Sequence, residues 1–164
     1  MTTLAPLIES TLTVQVHAAA ALVAMLLGPI VLFRPRRDRL HRSLGRVWIG
    51  AMAITALSSF GIHDMALIGP FGPIHLLSVL TLVSLALGLR AAMQGRIGAH
   101  RATMRSLYFW ALGVAGLFTL LPGRTMHRVV FGADTPAGFA LLAGAVVVLA
   151  LAVRWRTRPQ GKPA

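Results

Sequence analysis

The sequence of 164 residues contains no cysteine and only four acidic residues. Without thiols the chain can form no disulfide, iron–sulfur cluster or thiolate metal site, so any metal chemistry must depend on its six histidines. Sixteen Lys and Arg residues give a formal net charge of +12. These cations occur in short clusters between long apolar runs, which indicates contact with a membrane surface rather than with nucleic acid.

Apolar residues are far more abundant than a soluble domain of this size can bury, at 56% of the chain. Five segments are long enough to predict membrane-spanning helices: Thr13–Phe33, Val47–Ile62, Ile74–Leu89, Leu107–Leu121 and Phe139–Val153. The predicted fold is therefore all-α: a polytopic integral membrane protein with an up-down four-helix bundle and a fifth transmembrane helix. Residues 1–12 are expected to form a short interfacial segment, residues 13–154 the transmembrane domain, and residues 155–164 a basic cytoplasmic tail.

The distribution of cations predicts the orientation, because Lys and Arg are retained on the cytoplasmic side during insertion. Fourteen of them lie in the first and third connections and after the fifth span, whereas only Arg124 and Arg128 lie in the opposite connections. The N-terminus is therefore expected outside and the C-terminus in the cytoplasm. We expect a multi-pass protein of the inner membrane.

Four histidines alternate between the outer and inner ends of the predicted helices. In chain order they are His17 (outer), His41 (inner), His75 (outer) and His100 (inner). The two outer residues are 58 positions apart and the two inner ones 59. The inner sites also have similar sequences, His41-Arg42-Ser43-Leu44-Gly45-Arg46 and His100-Arg101-Ala102-Thr103-Met104-Arg105. This spacing indicates an internal duplication.

In an up-down bundle of four helices, the first and third helices are diagonal neighbours, and so are the second and fourth. The pattern thus predicts that His17 faces His75 and that His41 faces His100. Two opposed imidazoles can supply both axial ligands of a b-type haem iron. The sequence therefore predicts a haem-binding pair at each end of the bundle.

The residues predicted to bind haem differ in how strongly each one alone indicates a functional site. Arg46 and Arg105, beside the inner pair, are candidates for binding haem propionates through charge-assisted hydrogen bonds. His17 begins an almost wholly apolar helix, and an ionisable residue at membrane depth is a functional candidate. His41 and His100 lie within basic clusters, where each alone is equally compatible with a solvated imidazole.

A second polar group is expected at the outer ends of the second and fourth helices. His63 and Asp64 can exchange protons near neutral pH, while Arg124 and His127 can orient a quinone-like oxygen or contact a redox partner. For His63, termination of a helix in water is the alternative interpretation. The prediction is a small outer site for a quinone head group or a partner protein.

Several motifs follow one another between Val16 and Arg124: His17, Gly28-Pro29, Arg34, His41-Arg42-Ser43-Leu44-Gly45-Arg46-Val47-Trp48, Ser58-Ser59-Phe60, His75-Leu76-Leu77-Ser78, Arg90 and His100-Arg101-Ala102-Thr103-Met104. Together they resemble a family of predicted bacterial membrane proteins called domain of unknown function 2306. No activity is established for this family, so the resemblance indicates only that these motifs belong together.

The alternation of histidines also resembles the four-histidine pattern of transmembrane dihaem b-type cytochromes, which move electrons from ascorbate or quinol. That resemblance implies haem b as cofactor, with His17 paired to His75 and His41 to His100. The first hypothesis is therefore an electron-transfer protein, alone or as a small subunit of a redox complex. The alternative is a cofactor-free membrane protein, either an assembly or structural subunit or a small-solute carrier. The small number of buried polar residues besides the histidines argues against a carrier.

Overall fold

The computed structural model describes residues 3–34, 38–62, 69, 72–132, 136–141, 143–145 and 147, and the regular elements in these ranges are helical. They are α1 (Ala5–Ile8), α2 (Leu12–Leu32), α3 (Arg39–Ser58) with a 3-10 turn (Ser59–Gly61), α4 (Pro73–Met93), α5 (Ile97–Ser106), a π-helical segment (Leu107–Val114), α6 (Ala115–Thr119) and α7 (Thr125–Phe131). The all-α prediction is confirmed for this part of the chain.

Within the described residues, three helices are long and apolar enough to cross a membrane: Leu12–Leu32, Arg39–Gly61 and Ile74–Met93. They overlap the first three predicted spans. The fourth predicted span, Leu107–Leu121, is helical but changes from π to α geometry at Ala115. The fifth predicted span, Phe139–Val153, lies largely outside the described residues. The bundle of four helices plus one therefore stays a prediction.

Helix starts follow from the capping residues rather than from hydropathy. α3 begins at Arg39, within the basic segment, instead of at the predicted Val47, because the Asp38 carboxylate accepts the His41 backbone N–H at 2.9 Å. Thr11 caps α2 through its side-chain oxygen. Because α3 begins at Arg39, His41 lies in the first turn of α3.

The chain divides into two compact units, Leu7–Gly116 and a second one formed by Met1–Pro6 with Leu117–Ala164. We call the first the main unit. Within it, α2 packs on α3, α3 on α4, α4 on α5, and α5 with the π-helical segment on α2. The α2–α3 pair is antiparallel, since His17 near the start of α2 contacts Ser58 at the end of α3.

Close packing holds these helices together. Because lipid is as apolar as their side chains, membrane helices associate through small residues and interhelical hydrogen bonds rather than through removal of apolar surface from water. Ala24 on α2 is completely buried, and its carbonyl accepts the indole N–H of Trp48 on α3 at 2.9 Å. Trp48 itself is 1% exposed and lies in the middle of the core.

Tyr108 in the π-helical segment packs on α2 at a glycine. A side chain at Gly28 would overlap the Tyr108 ring, so only glycine allows this approach. The Tyr108 hydroxyl donates to the Met25 carbonyl at 3.2 Å. Met25 precedes Pro29 by four residues, and Pro29 has no N–H with which to donate to that carbonyl.

Candidate functional site

His41 and His100, at equivalent positions of the sequence repeat, line the same cavity of the main unit. The volume of this cavity is about 60 Å³. Its wall also includes two cations, Arg34 and Arg101, and the aromatic ring of Trp48. The remaining lining residues are Val31, Leu32, Gly45, Ile49, Ile97 and Met104. We call this space the inner cavity.

His41 is held by the cap of α3. Its backbone N–H donates to Asp38, which fixes the first turn of the helix and the origin of the side chain. The Nδ1 atom of His41 is buried and has no hydrogen-bond partner among the residues that the structure describes. A buried nitrogen left in this state loses the stabilisation that a hydrogen bond or a ligand would provide.

His100 is oriented by the facing helix. Its Nδ1 lies 2.9 Å from the carbonyl oxygen of Gly88 on α4. Since a carbonyl oxygen only accepts, Nδ1 carries the hydrogen, and in the neutral ring the lone pair is on Nε2. Histidines that bind metals through Nε2 are commonly held by this kind of Nδ1–H bond. The proton arrangement of His100 therefore suits ligation.

Gly88 permits this contact because α4 and α5 approach each other closely there. A Cβ at Gly88 would overlap the end of the Met104 side chain and would lie 3.1 Å from Cγ2 of Thr103. Met104 itself lines the inner cavity. Gly88 and Asp38 were not among the predicted site residues, because Gly88 acts on a residue that is distant in sequence and Asp38 acts through the cap of α3.

The charges around the inner cavity are partly neutralised. The Arg34 guanidinium donates to the Asp38 carboxylate at 2.6 Å, and this hydrogen bond lowers the pKa of Asp38 to about 2 and raises the pKa of Arg34. Arg101 is exposed at the rim. The predicted propionate partners, Arg46 and Arg105, do not line this cavity, and the Arg105 guanidinium stacks over the Phe33 ring at 5.3 Å.

At the other end of the main unit, His17 contacts the last turn of α3. Its Nδ1 lies 3.1 Å from the hydroxyl oxygen of Ser58, whose own hydrogen is directed to the carbonyl of Ile54 at 2.7 Å or of Thr55 at 3.1 Å. The hydroxyl is therefore the acceptor and His17 Nδ1–H the donor. The ring is fixed by a contact that the sequence spacing did not indicate.

His75 has the opposite proton arrangement. The backbone N–H of Gly72 donates to His75 Nδ1 at 3.0 Å, so in the neutral ring the hydrogen is on Nε2. His75 is buried, and its ring lies 5.7 Å from that of Phe60. A ring whose Nδ1 lone pair caps a helix and whose Nε2 carries the hydrogen does not suit axial ligation of iron. Haem ligation by the outer pair stays a prediction that this arrangement of hydrogens does not favour.

Two buried serines connect α3 and α4 beside His75. The hydroxyls of Ser59 and Ser78 are 2.5 Å apart, and they are 1% and 5% exposed. Each hydroxyl also lies within hydrogen-bond distance of a carbonyl one turn earlier in its own helix. This bond joins the two helices at the same end at which His17 contacts Ser58.

The predicted outer site is described only in part. His63 and Asp64 lie outside the described residues. In the second unit, Arg124 lies over the Phe118 ring at 5.4 Å, and His127 is completely buried with its Nδ1 2.7 Å from the Leu120 carbonyl. Both residues have local packing contacts there. Across the described ranges, no group of three or more His, Asp or Glu side chains is arranged to hold a metal ion.

Comparison with known proteins places these motifs in a family. The sequence model of the family described as Predicted membrane protein (DUF2306) matches residues 14–156. The chain belongs to this family. The DUF2306 match includes all four repeat histidines and extends beyond the residues on which the resemblance rested. No curated protein and no solved structure has significant similarity to the chain.

Proposed function

We propose that this DUF2306 protein is a multi-pass protein of the bacterial inner membrane, with its N-terminus outside and its C-terminus in the cytoplasm. The three candidate spanning helices and the cation distribution of fourteen to two support this orientation. The packing order of α2, α3, α4 and α5 supports an up-down bundle of four helices, to which the fifth predicted span is added. The inner cavity then lies at the cytoplasmic end.

Electron transfer is the function that we propose for the inner cavity, with one haem b bound between His41 and His100. The observation that carries the proposal is that these two imidazoles line one cavity although they are 59 residues apart. The donor chemistry fits, because His100 presents an Nε2 lone pair and, among the described residues, the buried Nδ1 of His41 has no partner. The cavity of about 60 Å³ is smaller than a haem, so α3 and α5 must separate for one to bind. Haem b held by two histidines supplies one-electron redox chemistry.

The exposed Arg101 at the rim is placed to neutralise an anionic substituent of such a ligand. Arg105 is not, because its guanidinium stacks on Phe33. His17 and His75 are not included as ligands. The Gly72 N–H donates to His75 Nδ1, so in the neutral ring the hydrogen is on Nε2, and the pair does not offer two free lone pairs to one iron. The proposal is thus narrower than the expected pair of haems: one site, with ligands from the first turns of α3 and α5.

The volume of the inner cavity favours a second candidate, a cofactor-free protein that binds a small anion. About 60 Å³ holds a few water molecules or a group the size of phosphate, whereas sites for drug-sized ligands and cofactors occupy roughly 300–1,000 Å³. Two arginines and two histidines line the wall and supply donors of the right kind. This candidate corresponds to the cofactor-free alternative in its form as a small-solute carrier.

An absorption spectrum of the purified full-length protein, before and after dithionite, tests the first candidate. We expect a Soret band that shifts on reduction and that is lost in both His41→Ala and His100→Ala. His17→Ala is the matched control, a histidine at the other end of the same unit, and it should retain the band. Wild-type protein without a Soret band after expression with supplied haem would show that the haem proposal is wrong.

The same variants test the second candidate by calorimetric titration with inorganic phosphate. Saturable binding to the haem-free wild type that is weakened in His41→Ala and His100→Ala supports an anion site. Equal heats for wild type and variants exclude it. The two candidates therefore differ in the ligand, haem or phosphate, whose binding requires His41 and His100.

A further inference from the structure

A second, larger opening lies between α4 and α5 with the π-helical segment, and its volume is about 480 Å³. Leu80 and the half-exposed indole of Trp110 contribute apolar surface to it. Thr81 and Ser84 on α4, with Thr103 and Ser106 on α5, contribute hydroxyls. We call this opening the α4–α5 groove. Its volume lies within the range of small-molecule sites.

The groove begins where the contact between α4 and α5 at Gly88 ends. At Gly88 the helices approach so closely that Met104 and Thr103 fill the space a Cβ would need. Ser84 lies one helical turn before Gly88, toward the middle of the candidate span, so the helices separate within the hydrocarbon region. A molecule that enters the groove must therefore be lipid-soluble.

Three of the four hydroxyls in the groove make no hydrogen bond within the described part of the chain: those of Ser84, Thr103 and Ser106. Six helical serines and threonines elsewhere in the main unit donate to a carbonyl three or four residues earlier: Ser43, Thr55, Ser58, Ser59, Ser78 and Thr81. An unpaired hydroxyl in hydrocarbon is unfavourable, so three in one groove indicate a partner with hydrogen-bond acceptors.

We propose that the α4–α5 groove binds the head group of a lipophilic quinone. Such a ring has a carbonyl acceptor on each of two opposite edges, which matches hydroxyl donors on both walls, and a flat face that can stack on Trp110. The apolar remainder of the groove accommodates the start of an isoprenoid chain. This site differs from the outer position expected from the sequence, and it does not depend on which ligand occupies the inner cavity.

Quenching of tryptophan fluorescence by decylubiquinone tests the site on the full-length protein in detergent. We expect saturable quenching in the wild type and loss of the saturable component in Trp110→Phe. Ser84→Ala and Thr103→Val should each weaken the apparent affinity by about 2- to 10-fold, the usual range for one hydrogen bond. Thr55→Val is the matched control, because its hydroxyl is bonded to Ala51 and lies outside the groove.

The thermal unfolding midpoint separates a binding role from a structural one. Since the hydroxyls of Ser84 and Thr103 have no partner in the free protein, their removal should leave the midpoint without quinone unchanged. Absence of saturable quenching in the wild type overturns the proposal, and so do variants that bind as well as the wild type. If the two variants lose copurified diacyl lipid but bind decylubiquinone normally, the groove holds a lipid and the quinone assignment is wrong.

Discussion

The Tyr108 hydroxyl donates to the Met25 carbonyl, the carbonyl of α2 that Pro29 leaves without its helical donor. In hydrocarbon no water replaces a missing donor, so this side chain supplies what the proline removes. The bond joins a proline-containing helix to a π-helical segment, two irregular elements of the main unit. A side chain of the π-helical segment therefore supplies the hydrogen bond that the proline removes from α2.

Removal of the hydroxyl in Tyr108→Phe should lower the free energy of unfolding by about 1–3 kcal/mol, the cost of leaving a carbonyl without a donor in hydrocarbon. Pro29→Ala restores a backbone N–H that can donate to Met25. In the Pro29→Ala background, Tyr108→Phe should therefore have almost no effect. Thermal or denaturant unfolding of the two single variants and the double variant measures this coupling, and strictly additive effects would contradict it.

The ion pair of Arg34 and Asp38 predicts a dependence of stability on pH. The pKa of Asp38 is lowered from 3.8 to about 2 in the folded protein. The carboxylate therefore stabilises the fold fully above pH 3.8, and its contribution is lost as the pH falls through about 2. The difference in unfolding midpoint between wild type and Asp38→Asn should shrink across this window.

Asparagine is a suitable control for this experiment because it also caps helices well but carries no charge. Asp38→Ala removes the cap as well, so it should be less stable than Asp38→Asn at neutral pH and should also weaken ligand binding at His41. A difference between wild type and Asp38→Asn that is constant from pH 5 to pH 2 would assign the effect to capping alone.

Much of the main unit can be predicted from local patterns. Long apolar runs predict α2 and α4, and the repeat spacing brings His41 and His100 to one cavity. The proton arrangements of the histidines depend instead on individual hydrogen bonds that form only in the folded structure. Whether a histidine offers Nε2 or Nδ1 is decided by a partner such as Gly72 or Gly88, and no spacing rule encodes that hydrogen.

The orientation can be tested with reporter fusions at Pro70 and Gln94. α4 between these positions has 21 residues and is about 31 Å long, enough to cross the hydrocarbon core. Alkaline phosphatase should therefore be active when fused at Pro70 and inactive at Gln94, and a fluorescent reporter that folds only in the cytoplasm should show the reverse. The same result at both positions would mean that α4 does not span the membrane.

Gly88 lies opposite Met104 and supplies the carbonyl partner of His100. In Gly88→Ala the new methyl must displace the end of the flexible Met104 side chain, which already lines the inner cavity. Alanine also favours the helix by about 1 kcal/mol, so the free energy of unfolding should change by no more than about that amount. Ligand binding at His41 and His100, whether measured as haem content or as phosphate affinity, should nevertheless fall. Gly98→Ala is the matched control, because no atom lies within 4 Å of its added Cβ. If the two variants retain ligand equally, the contact between α4 and α5 at Gly88 does not shape the inner cavity.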